Sequence, residues 1–275
     1  KCKNGVLTNH AEIKVIAKLG ETENQVGQLM VHANDNIPFA NIVLIELIMD
    51  NEDLALPEDI DWVMKNRSFN QALVRAEIDI ENKFKLRNFA DKADVQAFIA
   101  NYKNQPIAND VQFKNDLFAL YEKYGKFKPV GGTIEGAQNR KTYMFITNLE
   151  AGNTLGSASL VVTQNAAGNT TGWNWGNGVA IFKEGLDNEH TIIHELGHSL
   201  GLTHTQEDSA VSNAPEFYQG TTDNVMDYDW KISGLVSSGN PAQGFTGVDS
   251  KFKNKQYHFF KNQWGKIRGD GSLEA

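Results

Sequence analysis

The chain has 275 residues, 40% hydrophobic and 22% charged, the composition of an ordinary globular protein with enough length for a sizeable core. Its formal net charge of −8, without a dense Lys/Arg cluster, excludes a nucleic-acid binder. No apolar run reaches the roughly 18 residues of a membrane span, since the longest, Ile42 to Met49, is strand-sized and interrupted by Glu46.

Lys1 opens the chain without a methionine or a signal-like apolar region, which reads as a mature form or a fragment. Cys2 is the single cysteine, so no internal disulfide is possible. It reads as a free thiol on a terminus, the alternative being a thiolate latch on a metal. The terminal Gly271–Ala275 reads in part as an appended tail and is left out of the reading.

In chain order, Ala11–Leu19 and Gln25–Ala33 alternate like strands across a polar turn, and Asn41–Met49 closes a set of three. These predict a small β-rich domain over 1–52, with the acidic, proline-containing Asp50–Asp61 as linker. Ala72–Phe89 alternates and reads as one long strand or a hairpin. Asp91–Tyr102 predicts a helix with Asp91 as its cap, and Val111–Tyr124 a second that stops at Gly125. Their aromatic stripes are expected to be core. Thr142–Leu149, Ser157–Gln164 and Gly178–Phe182 are short strands between Gly/Asn-rich loops, and a final helix is expected over 250–268.

The chemistry concentrates in His190–Gln206, "HTIIHELGHSLGLTHTQ". A helix from Asn188 to Leu200, capped by Asp187 or Asn188, puts His194 and His198 one turn apart on one face. Two imidazoles so spaced suit a tetrahedral zinc. Glu195 then stands beside the metal without ligating it, close enough to take a proton from water and pass it to a leaving amine. Gly201 can adopt the left-handed conformation that ends the helix and turns the chain back. His204 can then complete a three-histidine set with one open position, the arrangement of one catalytic zinc. His190, one turn before His194, becomes a second-layer or surface residue.

"HELGHSLGLTH" resembles the H-E-x-x-H-x-x-G-x-x-H signature of the metzincin clan of zinc endopeptidases. The resemblance implies that Met226, in "NVMDY", forms the clan's methionine turn, an apolar floor beneath His194, His198 and His204. It also implies that Tyr228 can ligate zinc and swing away to stabilise an oxyanion, as in astacin-like and serralysin-like members. Thr205, after the third histidine, is instead similar to the Ser/Thr of matrixins, so the subfamily lies between these.

The implied fold is α+β: a twisted mixed sheet, the active-site helix, and a mostly irregular C-terminal part with a final helix. The peptidase domain is expected over 53–275, its upper part about 53–203 and its lower about 204–275, preceded by the small β domain. The implied function is hydrolysis of internal peptide bonds by a secreted enzyme, with a protein or peptide substrate and an upstream pro-segment or further domains as expected company. Substrate would add a strand to an edge provided by "GSASLVV" or "GNGVAIF". Two other readings share the motif: a bacterial toxin or effector peptidase of narrow substrate range, and a zinc-containing binding or adhesion module without activity. Glu195 speaks against the last. "NWGNG" (174–178) and "EDS" (207–209) have oxygen donors for structural calcium but match no ordered loop, so they read as turns.

Overall fold

The structure, a computed structural model, describes residues 6–49, 54, 56–135, 141–168, 170–206, 217–232 and 247–274. Lys1–Pro38 and Phe39–Glu274 are separate compact units. In the first, β1 (Ala11–Leu19) and β2 (Thr22–Val31) pair antiparallel across a two-residue turn that begins at Gly20, whose φ is 61°. Their side chains are largely exposed on both faces.

The strand expected to complete this set does not join it. β3 (Phe39–Ile48) lies inside the second unit's sheet, parallel to β4 (Arg75–Lys85) on one side and β5 (Thr142–Ile146) on the other. The boundary expected at 52 therefore falls at 38. The physical reason is visible in its side chains. Ile42 and Leu44 enter one core, while Val43, Ile45 and Leu47 enter the core on the opposite face. A strand covered on both faces reads as a continuous apolar run rather than as alternation.

The five-stranded sheet has the order β4-β3-β5-β7-β6, all parallel except β6 (Gly156–Gln164), which runs antiparallel to β7 (Thr170–Ile181) at the edge. Ala72–Phe89 thus contains one strand and no hairpin. Between β3 and β4 lies a short helix, α1 (Ile60–Val63), continued by single helical turns to Ala72. One face of the sheet carries α2 (Ala93–Tyr102) and α3 (Asp110–Tyr124), whose Val95, Phe98, Phe113, Leu117 and Tyr121 are buried core, as the stripes predict. Asn109 caps α3 by accepting from the Gln112 N–H at 3.0 Å. Asp91 caps nothing: α2 begins at Ala93, and Asp91 pairs instead with its neighbour Lys92.

The other face carries the long buried helix α4 (Glu189–Ser199), α1 and the final helix α5 (Lys261–Arg268). α5 is much shorter than the expected 250–268. Residues 251–254 form turns, Asn254 has φ 63°, and buried Gln256 donates to the Tyr228 carbonyl at 2.9 Å, which fixes this stretch as a loop. A two-stranded ribbon, β8 (Trp230–Ile232) with β9 (Gly247–Asp249), precedes it. The chain's end also belongs to the fold: Glu274 exchanges two backbone hydrogen bonds with Phe39, at 2.8 and 2.9 Å, and Leu273 packs on the core. Among the described residues no helix is long and apolar enough to cross a membrane. Cys2, the "EDS" stretch and most of the loop after β8 lie outside the described residues. "NWGNG" is part of β7 rather than a turn.

Candidate metal centre

Helix α4 starts where the sequence places a cap. The Asn188 side chain accepts from the Thr191 N–H at 3.2 Å, satisfying one of the donors a helix N-terminus leaves open. Ile192, Ile193 and Leu196 anchor the helix in the core, and this fixes where His194 and His198 point. At its end Gly201 has φ 87°, with the Gly201 N–H donating to the His198 carbonyl and the Leu202 N–H to the Gly197 carbonyl. A Cβ at Gly201 would have room, so conformation rather than space calls for glycine there.

The reversal brings three imidazoles together. His198 Nε2 lies 3.1 Å from both His194 Nε2 and His204 Nε2. His194 Nδ1 is 2.7 Å from the Val225 carbonyl and His198 Nδ1 is 2.7 Å from the Leu202 carbonyl. A carbonyl only accepts, so each Nδ1 carries the proton and each Nε2 presents a lone pair. Burial, reinforced by the neighbouring imidazoles, holds both rings well below the usual histidine range and hence neutral. Two lone pairs facing each other at this distance are not a hydrogen bond. Nitrogens bound to one tetrahedral zinc at about 2.0–2.1 Å stand roughly 3.3 Å apart, so a cation is the partner the triad fits.

The surroundings set the rings. The Val225 carbonyl also meets His190 Nε2 at 2.9 Å, so His190 is buried behind His194, sharing its acceptor. The Trp175 ring of β7 lies on His198, with centroids 4.0 Å apart and planes at 32°. Met226 is fully buried, and its sulfur lies where a Cβ on Gly197 would be only 2.5 Å away. Met226 thus touches α4 in the turn between His194 and His198. Tyr228 is half-buried and lies nearly parallel to two rings of the triad, with centroids 4.9 Å from His204 and 5.9 Å from His194.

Asp227 is a residue that sequence reasoning missed. Fully buried, it accepts from the Gly220, Thr222 and Tyr228 N–H groups and from the Thr222 hydroxyl, at 2.6 to 2.9 Å. It closes the turn that carries Met226 and Tyr228. Asn224 helps by accepting from the Met226 N–H at 2.8 Å and donating to Gln263 of α5. The dense Thr/Asp/Asn content of "TTDNVMDYD" was the available signal, but it says nothing of which groups pair.

Glu195 leaves α4 toward β6. Gly156 meets it so closely that a Cβ there would lie 2.6 Å from the Glu195 Cγ. Burial pushes its carboxyl up to about 7, against the pull of the Lys114 charge and the Ala158 N–H. A cation among the imidazoles would pull it down again. Lys114 was also missed. This buried lysine of α3 reaches under β6 and donates to the Ser157 hydroxyl at 2.7 Å and the Ala158 carbonyl at 2.6 Å. Of the two segments proposed as edge, "GSASLVV" in β6 has the open side, because β7 is paired on both sides. A cleft of about 570 Å³ lies between the start of β6, α4 and the turn after Met226, with His194, Glu195, His204 and Tyr228 in its wall.

A mixed five-stranded sheet with one antiparallel edge, a buried helix bearing two histidines, a third histidine past a glycine turn and a methionine beside them make up a metzincin-type domain whose triad could bind one zinc ion. The matrixin family model matches residues 51–233, and the chain belongs to the matrixin family. That membership places it on the matrixin side suggested by Thr205. Among solved structures the chain is similar to metalloproteinase-II from Bacteroides fragilis, with 13% identity and a TM-score of 0.42 over 84% of this chain and 52% of that one. It is also similar to a chain described as a chaperone–substrate complex, with 10% identity and a TM-score of 0.27 over 66% of this chain and 29% of the other. The chain spans about half the length of the metalloproteinase it matches. None of the curated protein sequences matches it.

Proposed function

We propose that the chain cleaves internal peptide bonds of protein substrates, and that it works as a secreted enzyme. The observation that carries the reading is the convergence of three imidazole nitrogens, all within 4.8 Å of one another, in the wall of a cleft that also contains Glu195. His194, His198 and His204 would hold the ion. Zinc in this position supplies Lewis-acid polarisation to the attacking water and the scissile carbonyl. Glu195 takes the water's proton and delivers it to the leaving amine. Tyr228, whose ring lies beside His194 and His204, would donate to the developing oxyanion, and Met226 and Asp227 keep that turn in register. The open side of β6 offers backbone groups to an extended peptide. Secretion rests on the habit of matrixin-like peptidases, which are commonly extracellular.

The deciding experiment is casein or peptide-library cleavage with and without chelator. Glu195→Ala should retain about one zinc per chain and lose cleavage, and Tyr228→Phe should lower kcat more than it raises KM. Full activity in Glu195→Ala would sink the mechanism, and a change confined to KM would remove the oxyanion role of Tyr228.

A further inference from the structure

The groups that touch Glu195 from outside its own helix lie on β6. A Cβ on Gly156, the first residue of that strand, would come within 2.6 Å of the Glu195 Cγ and 3.2 Å of its Cδ. Two residues on, the Ala158 N–H faces the Glu195 carboxyl. The path of β6 over Gly156–Ala158 therefore decides where that carboxyl stands. The sheet alone holds this stretch poorly. β6 is hydrogen-bonded to β7 on one side only, and its register shifts just past Ala158. Such an irregularity interrupts the ladder, and an edge strand has no second neighbour to compensate.

What does hold it comes from the opposite face of the sheet. Lys114 of α3 donates to the Ser157 hydroxyl at 2.7 Å and to the Ala158 carbonyl at 2.6 Å. Asp110, one turn earlier, accepts from the same hydroxyl and stands 4.0 Å from the ammonium. The base of this clamp is firm, because Asn109 caps α3 and Phe113 and Leu117 are buried core. Among the described residues Lys114 is the only Lys or Arg that is buried. A buried ammonium is costly to desolvate, and even a paired one is a weak source of stability. Its donors all converge on one short piece of β6, so what this charge fixes is position. We infer that Lys114 is a positioning residue for the general base. With Asp110 it holds the Ser157–Ala158 stretch, and through that stretch it sets how Glu195 faces the cleft. The inference rests on the endopeptidase reading and adds to its machinery a residue from the far side of the sheet.

The test compares the zinc-loaded full chain with Lys114→Met and Asp110→Asn on one internally quenched peptide that the unmodified chain cuts, well below the Tm of each variant. Lys114→Met should keep about one zinc per chain and lower kcat about tenfold or more, with KM within about twofold. Asp110→Asn loosens the clamp from its more exposed end without emptying a buried site, and should lower kcat about threefold. A lysine that served stability alone would lower Tm and leave kcat where it is, and that result in folded Lys114→Met overturns the inference. A fall in kcat that tracks loss of zinc also overturns it, because the effect would then lie on the triad. So does a change confined to KM, which would place the effect on substrate binding. If Lys114→Met does not fold, Asp110→Asn decides by the same three readings. An unmodified chain that cuts no peptide overturns the endopeptidase reading instead, and this inference with it.

Discussion

Glu195 and the three histidines are held in place by the residues packed around them. Gly197 is the tightest case. It sits between His194 and His198, and its missing side chain leaves the space that the Met226 sulfur fills. Gly197→Ala would force Met226 off the helix or bend the helix away from it. Overpacking of this kind costs about 1–3 kcal/mol. The expected outcome is a lower Tm together with weaker zinc binding, read by thermal denaturation and competition with a chromophoric chelator. Wild-type zinc affinity in this variant would show that the methionine floor does not set the ligand geometry. The HExxH motif made His194, Glu195 and His198 legible because helical periodicity alone puts them together. His204 was legible through Gly201, whose positive φ is the feature the sequence advertises. Asp227, Trp175 and Lys114 were not legible, since each acts through a partner distant in sequence.

At the scale of elements, β6 is where the sheet and the site meet. It approaches α4 at Gly156 and Glu195, and it is held from below by Lys114, whose ammonium is buried beside the Ala158 carbonyl and Ser157. Burial holds this lysine below its usual range, with Asp110 opposing that shift. Lys114→Met would fill much of the same volume but leave the Ala158 carbonyl and the Ser157 hydroxyl short of a donor. A cost of roughly 1–3 kcal/mol is expected, visible as a lower denaturation midpoint, with faster hydrogen exchange of the β6 amides. Unchanged midpoint and exchange would mean that this lysine does not tether the edge. Alternation and helical spacing foretold most elements, but not the partners of β3. An apolar run of that length fits a strand closing a small sheet as well as one at the centre of a larger sheet, and only long-range pairing distinguishes them. The final helix was overextended because apolar spacing continues through 250–260, whereas Gln256 and the turn at Asn254 commit that stretch to the Met226 turn.

At the scale of the molecule, the unit from Phe39 to Glu274 has cores on both faces of one sheet, and the candidate metal centre joins two separate stretches of its chain: α4 with the Gly201 turn, and the segment around Met226. An ion that binds only the folded arrangement stabilises it by mass action. Zinc at about 1,000 times its Kd contributes roughly 4 kcal/mol. Chelation should therefore lower Tm in proportion to the logarithm of free zinc, and restored zinc should recover it. A Tm independent of zinc would mean that the triad does not hold the metal in the folded chain.

The sequence by itself determined the chemistry: three imidazoles, a carboxylate and a glycine at spacings that a helix and one turn convert into a zinc site. That was possible because those relations are local, spanning His194 to His204. Tertiary structure alone decided that β3 belongs to the peptidase sheet, that β6 rather than β7 offers the edge, and that Asp227 and Lys114 brace the centre. It also decided what faces the cleft. Its wall draws on the loop before β6, the first turns of α4 and the segment around Tyr228, which lie far apart in sequence. Their convergence depends on how α4 and the segment around Met226 pack, and such packing is set by the whole core rather than by a local pattern.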